Sequence, residues 1–159
     1  MDFSDIKEIK KAGFVGFKTI RDLVADNSDL PGDSGVYMIL NLQKNYPVFL
    51  HLGTGGYFKR KDPNVSLQKL KDEWVENTIV VYIGKATSLR FRLKQYLAFG
   101  QGKNVGHRGG RLIWQLDFSD QLVVCWKILP DCIPRTIETE LINNFKEQFG
   151  VRPFANLVD

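Results

Sequence analysis

Four side chains of this chain have types and spacings that could do chemistry: Lys85, Arg92, Tyr96 and Glu138. The β-branched run Ile79-Val80-Val81-Tyr82-Ile83-Gly84 reads as a strand, and Lys85 follows it directly. Gly84, without a Cβ, suits a tight connection into the amphipathic helix that comes next. Thr87 or Ser88 can cap that helix, and ideal geometry gathers Leu89, Leu93, Tyr96 and Leu97 on one apolar face. Arg92 and Tyr96, four apart, are neighbours at its margin. Lys85 lies on the same side if the helix extends back that far. Two cations and the phenols of Tyr82 and Tyr96 thus converge beside the core, an arrangement suited to an anion with several oxygens. The alternative is that Arg92 snorkels, burying its stem and keeping its head in water.

Glu138 belongs to a second helix, opened by Pro134 and stopped by Gly150. With Ile137 at zero, Leu141 falls near 40°, Phe145 near 80°, Phe149 near 120° and Ile142 near 140°. Glu138 lands at about 100°, inside that apolar arc, and Glu140 at about 300°, on the solvent side. A carboxylate on an apolar face is costly unless it is paired or holds a metal. It could instead be a first-turn acid favoured by the helix dipole. Beside a Lys/Arg/Tyr cluster, the reading as a divalent-cation ligand is favoured.

The elements that must position these residues can be read along the chain. Ser4 to about Val24 reads as helical, broken near Gly13 and Gly16, with Ile6, Ile9, Phe17, Ile20 and Leu23 facing a core. A loop over 27–34 leads to a strand at Gly35–Leu40. Pro47 to Leu52 reads as another strand, ending in the turn Gly53-Thr54-Gly55-Gly56, which lacks the Gly-Lys-Ser/Thr ending of a phosphate-binding loop. Ser66 caps a short helix carrying Leu67, Leu70 and Trp74. A glycine-rich loop, Gly100 to Gly110, precedes a helical stretch around Leu112–Leu116, and Gln121 to Leu129 is a strand. The segment after Gly150 is irregular. No repeat or low-complexity segment interrupts the pattern.

At 159 residues, 43% hydrophobic and 25% charged, the chain fits one globular domain with a core of its own. Cys125, in an apolar run, reads as a buried thiol, and with Cys132 it makes no disulfide framework. His51 and His107 form no zinc pattern. No signal peptide opens the chain and no apolar run approaches membrane-spanning length, so the expected location is the cytoplasm. The formal net charge is +4, but its distribution is more telling. No Asp or Glu occurs between Glu76 and Asp117, an interval that holds Lys85, Arg90, Arg92, Lys94, Lys103, Arg108 and Arg111 as well as His107. A separate cluster, Lys59-Arg60-Lys61, follows the glycine turn. Such segregation points to a polyanionic partner, nucleic acid above all.

Together these residues resemble the GIY-YIG nuclease family. Gly35-Val36-Tyr37 stands where the family has Gly-Ile-Tyr, and Tyr82-Ile83-Gly84 is the second half-motif. Lys85, Arg92 and Tyr96 follow at the family's spacings. Glu138-Thr139-Glu140-Leu141-Ile142 matches its glutamate-bearing helix in the register that selects Glu138, and Asn156 after Pro153 matches its closing asparagine. The resemblance runs from Gly35 to Leu157. Val36 replaces isoleucine, and Tyr37 and Tyr82 lie about 45 positions apart where a short hairpin is usual; the chain also resembles bacterial members of the family with a similar insert.

The resemblance implies a single domain, 1–159, of α+β class: a small antiparallel sheet flanked by helices, with an N-terminal helical extension (1–34) and an insert (42–78) that adds a strand and a helix. It implies an endonuclease that hydrolyses phosphodiesters, DNA in preference to RNA, with one Mg²⁺ or Mn²⁺ held by Glu138. In that scheme Tyr37 is the general base, with Tyr82 orienting the water or sharing the role and Lys85 lowering the phenol pKa. Arg92 stabilises charge on the phosphoryl oxygens, Tyr96 hydrogen-bonds the phosphate, and Asn156 fixes geometry. Lys59, Arg60, Lys61, Arg90, Lys94, Lys103, His107, Arg108 and Arg111 are expected along the nucleic acid. The alternative is a nucleic-acid-binding module on the same scaffold that has lost chemistry.

Overall fold

The computed structural model describes residues 1–44 and 46–157. In chain order the elements are α1 (Ile6–Lys11), β1 (Val15–Thr19), α2 (Ile20–Ala25), β2 (Gly35–Leu40), α3 (Leu67–Glu73), β3 (Val80–Ala86), α4 (Leu89–Gly100), β4 (Val123–Ile128) and α5 (Pro134–Phe149), with short 3-10 turns at Phe58–Arg60, Arg111–Gln115 and Ser119–Gln121. The strands make one antiparallel sheet in the spatial order β1-β4-β2-β3. Ile9 of α1 and Leu141, Ile142 and Phe145 of α5 pack on one face with Val36, Met38 and Cys125. Ile20 and Leu23 of α2 and Leu89, Leu93 and Leu97 of α4 pack on the other with Tyr37, Ile39 and Trp126. The class is therefore the expected α+β one, with helices on both faces. Among the described residues no helix is long and apolar enough to cross a membrane.

Caps fall where residue chemistry places them. Ser88 accepts from the Phe91 amide at the start of α4 and Ser66 from the Lys69 amide at the start of α3. Gly150, at φ +77°, closes α5 in the left-handed conformation that favours glycine.

Three expectations are corrected. The N-terminal segment is not purely helical. Gly16 has φ +96° and Phe17 φ +53°, which no helix accepts, and both lie inside β1, at the bulge in its pairing with β4. A Cβ on Gly16 would lie 2.5 Å from the Trp126 ring, so the glycine lets an edge strand lie under a tryptophan. Residues 1–34 therefore supply part of the sheet and are no mere extension. Residues 47–52 form no strand either; Phe49 makes only an isolated bridge to Leu116. The insert is held instead by scattered backbone bonds to 114–117, such as Leu50 N to Gln115 O at 2.7 Å and Asp117 N to Val48 O at 3.0 Å, and by one buried amide. Gln115 Nε2 donates to Leu50 O (3.1 Å) and Val65 O (2.9 Å), and its Oε1 accepts from Val65 N at 2.9 Å. A polar side chain fully paired in this way fixes an irregular segment as firmly as a ladder would. Finally, Gly84 lies within β3, opposite Tyr37. A Cβ there would come within 2.4 Å of the Tyr37 ring, so its role is to let that ring cross the strand.

Candidate active site

The sheet register sets the centre of the site. Tyr37 pairs with Gly84 and Ile39 with Tyr82, and the pairing then slips past Val81 to join Leu40 with Val80. Cross-strand partners share a face, so Tyr82, opposite Ile39, lies on the side that carries Tyr37, and the slip past Val81 comes only beyond it. The two rings meet edge to face at 5.9 Å. β3 is the sheet's edge, and Asn156 covers it. Its Oδ1 accepts from Ile83 N and its Nδ2 donates to Ile83 O, both at 2.9 Å. The amide thus replaces a missing strand beside Tyr82 and Gly84, which is a positioning role.

A cleft opens at this edge in two adjoining lobes of about 500 and 440 Å³. Tyr82, Lys85, Arg92 and Glu138 line both. Tyr37, Gln95 and Arg135 line the first lobe; Arg108, Arg111 and Asn156 line the second. Lys85 sits in β3, not in the helix, and reaches Glu138 with an Nζ–Oε2 distance of 2.6 Å. Glu138 is the fifth residue of α5, beyond the first turn, so the helix dipole does not account for it. Its side chain is only 12% exposed while Glu140 is exposed, as the helical arc requires. Among the described residues no group of three or more His, Cys, Asp or Glu comes together, and Glu138 is the only acid lining either lobe. Lys85 pairs this carboxylate, and a lone carboxylate of this kind is chemically able to serve as one oxygen ligand of a Mg²⁺-like ion that shares phosphate and water ligands.

No family model, curated protein or solved structure matches this chain. The chemistry of the cleft has to be read from its own geometry.

Burial governs the phenols. Tyr37 is 1% exposed, and burial, then the neighbouring Tyr82, push its hydroxyl well above the ordinary phenol range. Tyr82 is less buried. Burial raises it to about 12, but a hydrogen bond with Tyr37 and the charge of Arg92 work to lower it. Of the two, Tyr82 is the more exposed, at 7% against 1%. Arg92 is half-buried; its Nη1 makes one long contact, 3.4 Å, to Gln95 Oε1, and it pairs with no carboxylate among the described residues.

Two expected site residues are displaced by burial. Tyr96 is 1% exposed and donates its hydroxyl to Gly110 O at 2.7 Å, so it holds the 107–111 loop instead of meeting a phosphate. His107 is fully buried, stacked on Tyr96 at 4.5 Å, and cannot reach nucleic acid. Other cations are spread around the molecule. Arg90 Nε donates to Leu30 O at 2.7 Å. Lys94 and Lys103 line a separate groove against Leu23 and Val24. Lys59, Arg60 and Lys61 are exposed, and Arg108 links that segment to the cleft through Lys61 O and Asp62 O at 3.5 and 3.3 Å. Composition ranked His107-Arg108-Gly109-Gly110-Arg111 only as basic. The signal it holds is the glycine pair: a Cβ on Gly110 would fall 2.8 Å from the Tyr82 ring and 2.6 Å from the Tyr96 hydroxyl, so bare backbone lets the loop close over the tyrosines.

His107 has a measurable consequence. Its ring is fully buried, and burial, then Arg92, hold its pKa down to about 3 against an ordinary 6.5. The unfolded chain therefore takes up the proton first, and stability falls as pH drops below 6.5, continuing toward 3. The slope approaches about 1.4 kcal/mol per pH unit at most. Urea unfolding at pH 7.5, 6.0 and 5.0 should show this fall, and His107→Phe, which keeps the stacked ring, should flatten it. An equal slope in both proteins would place the titration elsewhere.

Proposed function

We propose that this protein is a metal-dependent endonuclease that hydrolyses phosphodiester bonds of nucleic acid, DNA in preference to RNA, and that it is related to the GIY-YIG nucleases. The observation that supports this best is the meeting of Tyr82, Lys85, Arg92 and a nearly buried Glu138 in one cleft at the sheet edge. Phosphodiester hydrolysis needs a proton acceptor for water, a fixed positive group for the phosphoryl oxygens and help for the leaving oxygen. These side chains offer the first two, and Glu138 offers a cation ligand for the third.

In this reading Arg92 grips the non-bridging oxygens of the scissile phosphate, for which a planar fork with no competing carboxylate is well suited. The attacking water gives its proton to the Tyr82 oxygen in its phenolate form, which returns as the neutral phenol, while Tyr37, buried behind it, orients and supports that oxygen. Lys85 and Arg92 bring the positive charge that a phenol needs to accept a proton near neutral pH. Glu138 would hold one Mg²⁺ or Mn²⁺, which when bound supplies Lewis-acid stabilisation of the leaving 3′ oxygen. Asn156 keeps Tyr82 in register. Lys59, Arg60, Lys61, Lys94 and Lys103 act as exposed phosphate contacts, and the slope of log affinity against log salt counts how many engage. The free thiols of Cys125 and Cys132 suit a reducing cytoplasm.

The burial of both phenols favours a second reading, a binding module without turnover. Incubation with supercoiled plasmid in Mg²⁺, against the same reaction in EDTA, separates the two. Nicking in Mg²⁺ alone supports the nuclease; binding with no nicking in Mg²⁺ or Mn²⁺ supports the module.

A further inference from the structure

The second lobe holds more positive charge than one scissile phosphate requires. Arg108 and Arg111 stand on either side of Gly109-Gly110 and line it together. Their guanidiniums meet only carbonyls: Arg108 reaches Lys61 O and Asp62 O, and Arg111 Nη1 reaches Arg108 O at 3.4 Å. Arg111 Nε is buried with no partner at all. The only acid lining this lobe, Glu138, is taken by Lys85. Burial and then the like charge of Arg108 hold Arg111 below the ordinary guanidinium range. A half-buried cation beside another cation, with a donor left unmade, is a costly arrangement in the free protein. It is relieved when an anion with several oxygens enters.

We infer that Arg108 and Arg111 form a second anion site, which takes the phosphodiester adjoining the scissile one, so that the cleft grips two consecutive phosphates of a single strand. Guanidinium forks match the oxygen pair of a phosphodiester. The two lobes share Tyr82, Lys85, Arg92 and Glu138, which puts both phosphates on one continuous path. Positioning residues support the site from behind. Tyr96 and His107 carry the loop on a buried stack. The insert holds Arg108 through its backbone carbonyls, which gives the insert a part in substrate grip. The inference rests on the nucleic-acid reading of the same cleft.

The Nε–Hε signals of Arg92 and Arg111 can be followed by NMR in ¹⁵N-labelled protein. The probes are a thymidine dinucleotide with one phosphodiester and a trinucleotide with two. Both signals should move with the trinucleotide. Arg111→Gln should weaken the trinucleotide by about tenfold or more, the scale of one charge-assisted contact, and leave the dinucleotide almost unchanged. Arg111→Lys should recover only part, since it keeps charge and loses the fork. An Arg111 signal that stays still while Arg92 moves overturns the second site and leaves the nuclease reading standing. An Arg111 signal that moves while Arg92 stays still keeps the site and removes the cleavage assignment. These observations use the unaltered protein, so a misfolded variant does not blunt them.

Discussion

Glu138→Gln should abolish Mg²⁺-dependent nicking, a loss on the order of 10³-fold or more, while sparing the fold and most DNA binding. The argument begins with position. Glu138 lies on the inner side of α5, 12% exposed, and is the only acid among the described residues that lines the cleft. Its amide replacement keeps shape and volume but cannot carry the negative charge that a divalent cation requires. The cost to stability should be small. Lys85 is 43% exposed and returns to water once the pair is broken, so the loss stays within about 1 kcal/mol. Nucleic-acid affinity should hold or rise slightly, because a carboxylate that repels phosphate has gone. Glu140→Gln serves as the control: Glu140 is exposed one step away and should be nearly silent. If Glu140 proves the sensitive position, the helical-face argument for Glu138 is wrong. If neither variant changes nicking, the cation is not held by α5.

Some parts of this site could be read from the chain and others could not, for physical reasons. β2 matches the strand expected at Gly35–Leu40 residue for residue, because a run buried on both faces carries a strong local signal. Glu138 was found because 3.6-residue periodicity is local to one helix. The edge strand β1 was missed because two positive-φ residues, Gly16 and Phe17, break a helix-like pattern in a way that apolar spacing does not register. The insert was misread because its hold is a few scattered bonds to a distant segment, those of the Gln115 side chain among them, and not a ladder. Spacing placed Tyr96 on the apolar face of its helix but did not show that its hydroxyl is taken by the Gly110 carbonyl, and nothing in the spacing of His107 shows its burial. Both are committed to packing by a loop more than ten residues away from the helix face that carries Tyr96. Gly84 was attributed to a turn, whereas its partner across the sheet, Tyr37, sets the requirement.

Arg92→Ala should cost turnover far more than affinity, on the order of 10²-fold or more in rate. Two effects act together. The first is direct: the guanidinium faces both lobes, is half-buried and has no carboxylate partner among the described residues, so its donors are available to charge that develops on the phosphoryl oxygens. The second is indirect. Arg92 is the cation whose charge lowers Tyr37, Tyr82 and Tyr96 against the dominant effect of burial. Without it the phenol of Tyr82 is raised further, and the rising limb of the pH–rate profile should move to higher pH. Arg92→Lys separates the two. It keeps a charge near the phenols and loses the fork, so the rate should remain low while the pH limb returns toward that of the unaltered protein. Single-turnover rates at saturating DNA, measured from pH 6 to 10, check both parts. A loss confined to binding, with rate and pH limb unchanged, would reduce Arg92 to one more phosphate contact and shift the burden of transition-state charge onto the cation at Glu138.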